Sequence, residues 1–155
     1  MPIPTELIKE YLAGANSLRD AVAGMSHDQV RARPIPGQWS TLEVICHLAD
    51  FEPVYVDRMK RIIALENPLL MGADQDLFAK KLAYHDRDLE EEVSLIDLTR
   101  RSMARILKTL PLEAFARSGI HSERGVRTLQ EMLVGAVGHI QHHLPFIAQK
   151  RRALG

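Results

Sequence analysis

The chain has a single cysteine, Cys46, which excludes an internal disulfide framework and suits a reducing cytoplasm. It has no excess of either charge, because Lys+Arg and Asp+Glu each number 20. A balanced surface exerts no net attraction on nucleic acid or acidic lipid, so neither is expected as a partner. No apolar run approaches the roughly 20 residues of a membrane span, and the opening MPIPTELIKE has no secretory apolar region. The expected location is therefore the cytoplasm, with no membrane partner. Internal repeats and low-complexity segments are also absent. What remains is 155 residues, 46% hydrophobic and 26% charged, a composition that suits one folded domain over 1–155 with a substantial core.

The apolar periodicity is helical nearly throughout. Leu7, Ile8, Tyr11, Leu12, Ala15, Leu18, Val22 and Met25 recur at three- and four-residue steps and define a first helix. RARPIPGQW, with two prolines and a glycine, reads as a loop. STLE, Ser40 to Glu43, is a capping box that opens a second helix running to about Leu65. That helix is apolar on two stripes, Val44/Leu48/Phe51/Tyr55/Ile62 and Leu42/Ile45/Ala49/Val56/Ile63, as befits a helix central to a bundle. Pro53 lies inside it, removes the bond to the Ala49 carbonyl, and is expected to kink it at a cost of roughly 3 kcal/mol unless relieved. ENPLLMGADQ is a connection, and residues 74–83 read as a short helix. A third long helix spans about Asp88 to Leu110, with Leu89, Val93, Ile96, Met103, Ile106 and Leu110 inward and Pro111 as its stop. ARSGIHSERGVR reads as a loop with some extended character, and TLQE is a second capping box that opens a fourth helix running to about Arg151. Four long helices and no clear strand predict an all-α four-helix bundle, and the long 66–87 connection allows an order other than up-down-up-down.

GHIQHHLPFI, residues 138–147, concentrates three of the seven histidines. At about 100° per residue, His143 falls inside the apolar stripe of Leu129, Leu133, Ala136, Ile140 and Ile147. His139 lies on the same face one turn earlier, and His142 is turned roughly 60° further toward solvent. Two imidazoles four apart on one face is the spacing with which helices of zinc enzymes chelate a divalent metal. The competing reading is a hydrogen-bonded core histidine. A metal needs a third ligand, for which the candidates are His47, His27, His85, His121 and the carboxylates. His27 and His85 flank helices and read as surface or capping residues. His47, within VICHLADF, is the histidine a bundle would most readily turn inward. It also borders the polar side carrying Glu43 and Asp50, so periodicity allows it to face the fourth helix without requiring it.

PGQWSTLEVICHLAD followed by GVRTLQEMLVGAVGHIQHH resembles the DinB-like superfamily, YfiT-type members included. The shared features are a Trp-Ser step before a helix, His-Leu-x-Asp within it, Thr-Leu opening the last helix and a final His-x3-His, together covering residues 34–148. The resemblance implies a four-helix bundle holding a divalent metal on His47, His139 and His143. It also implies a homodimer, and for several members transfer of a low-molecular-weight thiol such as bacillithiol or mycothiol.

Three neutral imidazoles leave a metal with an open position, the layout of a catalytic rather than a structural site. A divalent ion there acidifies a bound water toward about 7 or deprotonates a bound thiol. Nitrogen ligands admit several metals, of which zinc or nickel is expected. Each imidazole is expected to donate its other ring N–H to an oxygen. Asp50, three residues after His47, and Glu43, four before it, are candidates for that role or for a general base. The alternative for both is a solvated carboxylate, with a capping role for Glu43. His142 is a candidate proton shuttle, with a plain surface histidine as the alternative. Trp39 is a candidate for walling the substrate pocket, with plain packing as the alternative. Cys46 points about 100° away from His47 and reads as a small core residue. Gly135 and Gly138 each cost up to about 1 kcal/mol inside a helix and are expected to admit close approach of a neighbouring helix or ligand. The expected function is metal-dependent transfer of a thiol to an electrophilic small molecule. Metal-dependent hydrolysis and metal or small-molecule binding without turnover are the alternatives.

Overall fold

The computed structural model describes residues 3–155. In chain order the elements are α1 (Pro4–Val22), α2 (His27–Arg31), α3 (Thr41–Ala64), β1 (Leu69–Leu70), α4 (Gln75–Lys81), α5 (Leu89–Leu107), β2 (Ser118–His121), β3 (Gly125–Thr128) and α6 (Leu129–Leu154). Both expected capping boxes form. Ser40 Oγ accepts from the Glu43 N–H at 3.1 Å while Glu43 Oε1 accepts from the Ser40 N–H at 3.0 Å. Thr128 and Glu131 repeat the arrangement at the start of α6. A third box, Ser26 with Gln29, opens the short α2. Helix α3 runs unbroken across Pro53, and α6 across Pro145. Helix α5 ends at Leu107, short of Leu110, because the last turn tightens: Thr109 N–H reaches Ile106 and its Oγ1 caps the same carbonyl at 2.7 Å.

Helices α1, α3, α5 and α6 form the bundle. Each of α1 and α3 packs against both α5 and α6, so α1 and α3 stand diagonally across the core. Both apolar stripes of α3 are taken up within the chain, with Leu42, Ile45, Leu48, Met59 and Ile62 among the fully buried side chains.

A small sheet accompanies the helices, which the all-α expectation did not include. β1 runs parallel to β2, and β2 pairs antiparallel with β3. It ties the 66–87 connection to the hairpin before α6, with Ile120 N–H donating to the Pro68 carbonyl at 2.8 Å and Ser122 N–H to the Leu70 carbonyl at 2.9 Å. Gly119 makes this possible, since a Cβ there would stand 2.9 Å from the Pro68 oxygen. Gly125, at φ +70°, closes the hairpin in the left-handed region that a Cβ disfavours.

The core holds one buried polar cluster that touches all four long helices. Arg100 of α5, 1% exposed, donates to the Tyr11 carbonyl of α1 at 2.9 Å and to the Ala136 carbonyl of α6 at 2.7 Å. It pairs with Glu52 of α3 at 2.9 Å, and Glu52 also accepts from the Tyr11 hydroxyl at 2.7 Å. A Cβ at Gly14 would collide with the guanidinium, so that glycine leaves room for it. Removing Arg100 strands a buried carboxylate. Arg100→Ala should destabilise the protein by about 3–5 kcal/mol in urea unfolding, whereas a cost below about 1 kcal/mol would show that the cluster does not hold the bundle together.

Candidate metal centre and its cavity

His47 stands mid-way along the first half of α3, and His139 and His143 stand one turn apart on α6. Because α3 and α6 are neighbours, the three rings converge. One ring nitrogen from each lies within 4.8 Å of the others, and the His47 and His139 Nε2 atoms are 2.8 Å apart. Trp39 and Phe51 pack on His47 at ring-centroid distances of 5.2 and 4.7 Å, and fix its orientation. Tyr55 packs 5.7 Å from His139. Tyr55 reaches this position over Gly135, where a Cβ would stand 3.1 Å from its ring. Gly135 thus admits a close neighbour as expected. Gly138 does not: nothing lies within 4 Å of a Cβ built there.

All three imidazoles are held neutral. Burial lowers His47 to about 4 against an opposing pull from Asp50. Burial, then the charges of His47, His143 and Arg100, lowers His139 to about 3. Burial, then His47 and His142, lowers His143 to about 4. Three neutral imidazoles whose ring nitrogens lie this close can share one ion, each offering a lone pair to it. That donor set suits a borderline divalent ion.

The surroundings differ from expectation in one respect. The Nδ1 atoms of His47 and His139 are buried and make no hydrogen bond. The nearby carboxylates are engaged elsewhere. Asp50 takes both terminal nitrogens of Arg87, at 3.0 and 2.7 Å. Glu43 accepts from Arg33 at 2.8 Å and lies 3.0 Å from His85. Burial would raise Glu43, but the hydrogen bonds from Arg33, the Ser40 N–H and His85 outweigh it and bring the carboxyl down to about 2.

A cavity of about 430 Å³ opens onto the imidazoles, lined on its other sides by Phe51, Tyr55, Arg58, His121, Glu123 and Arg124 among others. His142 is exposed at this cavity, its ring 5.1 Å from His143. Trp39 is not part of it; it lines an adjacent hollow with His143, Phe146 and Lys150. His27 is the exposed first residue of α2, behind its Ser26 cap, with its Nδ1 2.8 Å from Arg31. His121 sits on β2 and lines the cavity, but lies outside the three-ring cluster. Cys46 is buried against Tyr84, and burial pushes its thiol up to about 12. Sequence periodicity could not have found Glu123 or Arg124, because they lie in the turn between β2 and β3; Arg58 stands on α3, but periodicity does not show that it reaches the Met71 carbonyl.

Fold and site together define a four-helix bundle with a three-histidine centre between its second and fourth long helices. The chain belongs to the DinB superfamily, whose profile matches residues 10–147. It is 25% identical over 139 residues to "Putative metal-dependent hydrolase YfiT" of Bacillus subtilis, covering 89% of this chain and 78% of that one. It is 27% identical over 145 residues to a protein of Oceanobacillus iheyensis that also carries the name "Putative metal-dependent hydrolase", covering 94% and 84%. The solved structure of Bacillus subtilis YfiT, described as an unusual four-helix bundle topology, superposes with a TM-score of 0.91 at 24% identity over 98% of this chain and 87% of that one.

The depressed imidazoles make stability depend on pH in the metal-free protein. Between the ordinary value of 6.5 and about 4, the unfolded chain takes up protons that the folded chain refuses. Stability is therefore complete above 6.5 and falls as the pH drops through that window. Urea midpoints of chelator-treated protein should decline from pH 7 to pH 4.5, and less steeply in a His139→Leu variant. Equal slopes in the two proteins would mean that these rings are not the groups responsible.

Proposed function

We propose that this protein is a divalent-metal-dependent enzyme acting on a small molecule, with the metal held by His47, His139 and His143. The observation that carries this is the convergence of three neutral imidazoles at the head of an open cavity. The names of the two relatives support metal dependence. A divalent cation on three neutral ligands acidifies a thiol or water placed beside it. The protein supplies the rest: Phe51 and Trp39 keep water from the His47 ring, and the cavity orients the reactants.

Of the two reactions, thiol transfer to an electrophile is the first reading. It needs no group to protonate a poor leaving group, and the carboxylates nearest His47 in sequence, Glu43 and Asp50, are both bound by arginines. The thiol would be a small cytoplasmic one of the bacillithiol or mycothiol kind, and the metal zinc or nickel. Hydrolysis is the second reading. It is favoured by the relatives' names and by Glu123 and His142, which line the cavity and could move a proton there.

Element analysis of untagged protein should find about one divalent metal per chain. His143→Ala should abolish it, and His142→Ala should leave it intact. Equal loss in both would mean a different ligand pair. With loaded protein, a generic electrophile should be consumed only when a low-molecular-weight thiol is added, and His47→Ala should abolish the reaction. Ester or amide cleavage without thiol would decide for the hydrolase.

A further inference from the structure

The cavity has a second wall, opposite in character to the imidazoles. Arg58 of α3 is only 8% exposed, yet among the described residues it forms no ion pair, although the charges of Glu123 and Asp57 act on it from further off. Its Nε and one terminal nitrogen donate to the Met71 carbonyl at 3.1 and 2.7 Å, which leaves the other terminal nitrogen without a protein partner. A buried guanidinium without a counter-charge is costly, so evolution ordinarily removes it or supplies an anion. Arg124, exposed on the β2–β3 hairpin, lines the same cavity and makes no hydrogen bond or ion pair among the described residues. The one carboxylate in this wall, Glu123, packs against Gly72, where a Cβ would stand 2.8 Å from its carboxyl carbon, and forms no ion pair with Arg58 or Arg124 among the described residues.

Among the remaining polar groups of the wall, His121 and Tyr55 offer donors, and Gln75 offers an amide NH2 beside its carbonyl. His121 Nδ1 accepts from the Glu123 N–H at 3.1 Å, which places the proton of the neutral ring on Nε2. The Tyr55 hydroxyl makes no hydrogen bond among the described residues, and burial raises it further above neutrality, so it keeps its proton. Two guanidiniums, a ring N–H and a phenol O–H around one cavity match the acceptor oxygens of a carboxylate or phosphate.

We propose that the substrate is a small molecule bearing an oxyanion, a carboxylate or a phosphate, which Arg58 and Arg124 hold while its reacting group lies against His47, His139 and His143. The position of the reacting group rests on the metal-dependent reading; the oxyanion subsite does not.

Calorimetric titration of metal-loaded protein with succinate and, separately, with inorganic phosphate tests this. At least one of the two should bind, and the preferred one names the oxyanion. Arg124→Ala, a surface change that leaves the core untouched, should weaken that binding about tenfold with metal content unchanged, the loss expected for a charge-assisted hydrogen bond. Arg105→Ala, on the exposed face of α5, should leave it as it is. Binding of neither anion, or equal binding to wild type and Arg124→Ala, would overturn the proposal. Full metal content with Arg124-independent binding would refute the oxyanion wall alone, and Arg124-dependent binding by protein that takes up no metal would refute the metal centre alone.

Discussion

The bundle is organised around one buried cation. Arg100 cannot reach solvent, so its charge has to be met inside the core, and the groups that meet it through the two terminal nitrogens come from the three other long helices, while Nε is left without a partner. Two of these contacts bear on the site. Glu52 is adjacent in sequence to Phe51, which packs on His47, and Ala136 lies one turn before His139. Arg100 therefore fixes α3 against α6 at the level where their imidazoles face each other. Its charge also contributes to keeping His139 neutral, behind burial and the two partner rings. One side chain thus sets the spacing of the two helices that carry the centre and favours the protonation state that a metal ligand requires.

The site divides its labour between regular and irregular structure. The imidazoles stand on long helices anchored in the core beside them, through Cys46 and Leu48 on α3 and through Ile140 and Ile147 on α6. The facing wall comes largely from Gln75 at the head of α4 and from His121, Glu123 and Arg124 on and beyond β2. These segments are held by a two-residue parallel pairing, a four-residue hairpin and the bond from the Gly72 N–H to Ser122 Oγ at 2.9 Å. Such a wall can change its side chains without disturbing the helices, which is how one scaffold can serve different substrates with the same metal chemistry.

The helical part of this was legible in the sequence. Apolar spacing and the two S/T-x-x-E boxes located all four long helices to within a few residues, and the 100° pitch separated His143 from His142. The placement of His47 was only half legible, because its position on the edge of an apolar stripe admits two orientations; the packing of α3 against α6 resolves them. The sheet was not legible. A strand of two residues has no period to detect, and Ser118–His121 is polar or glycine at three of its four positions. The arginine partners of Asp50 and Glu43 were hidden for the same reason: Arg87 and Arg33 lie in connections, where spacing says nothing about what a side chain reaches.

Those arginines matter to the chemistry. Helix α3 carries three carboxylates around His47, namely Glu43, Asp50 and Glu52, and each is paired with an arginine from another segment: Arg33, Arg87 and Arg100. A free carboxylate at any of these positions could turn toward a bound ion, complete its coordination and cancel part of its charge. With all three engaged, the centre presents only neutral nitrogen. The Nδ1 atoms of His47 and His139, buried without an acceptor, belong to the same arrangement, since an anionic acceptor there would increase the basicity of the ring and the charge it donates. Withholding negative charge on this side would leave an ion at the centre with its full positive charge. The compensating negative charge would then have to enter from the cavity, which is the side that Arg58 and Arg124 line.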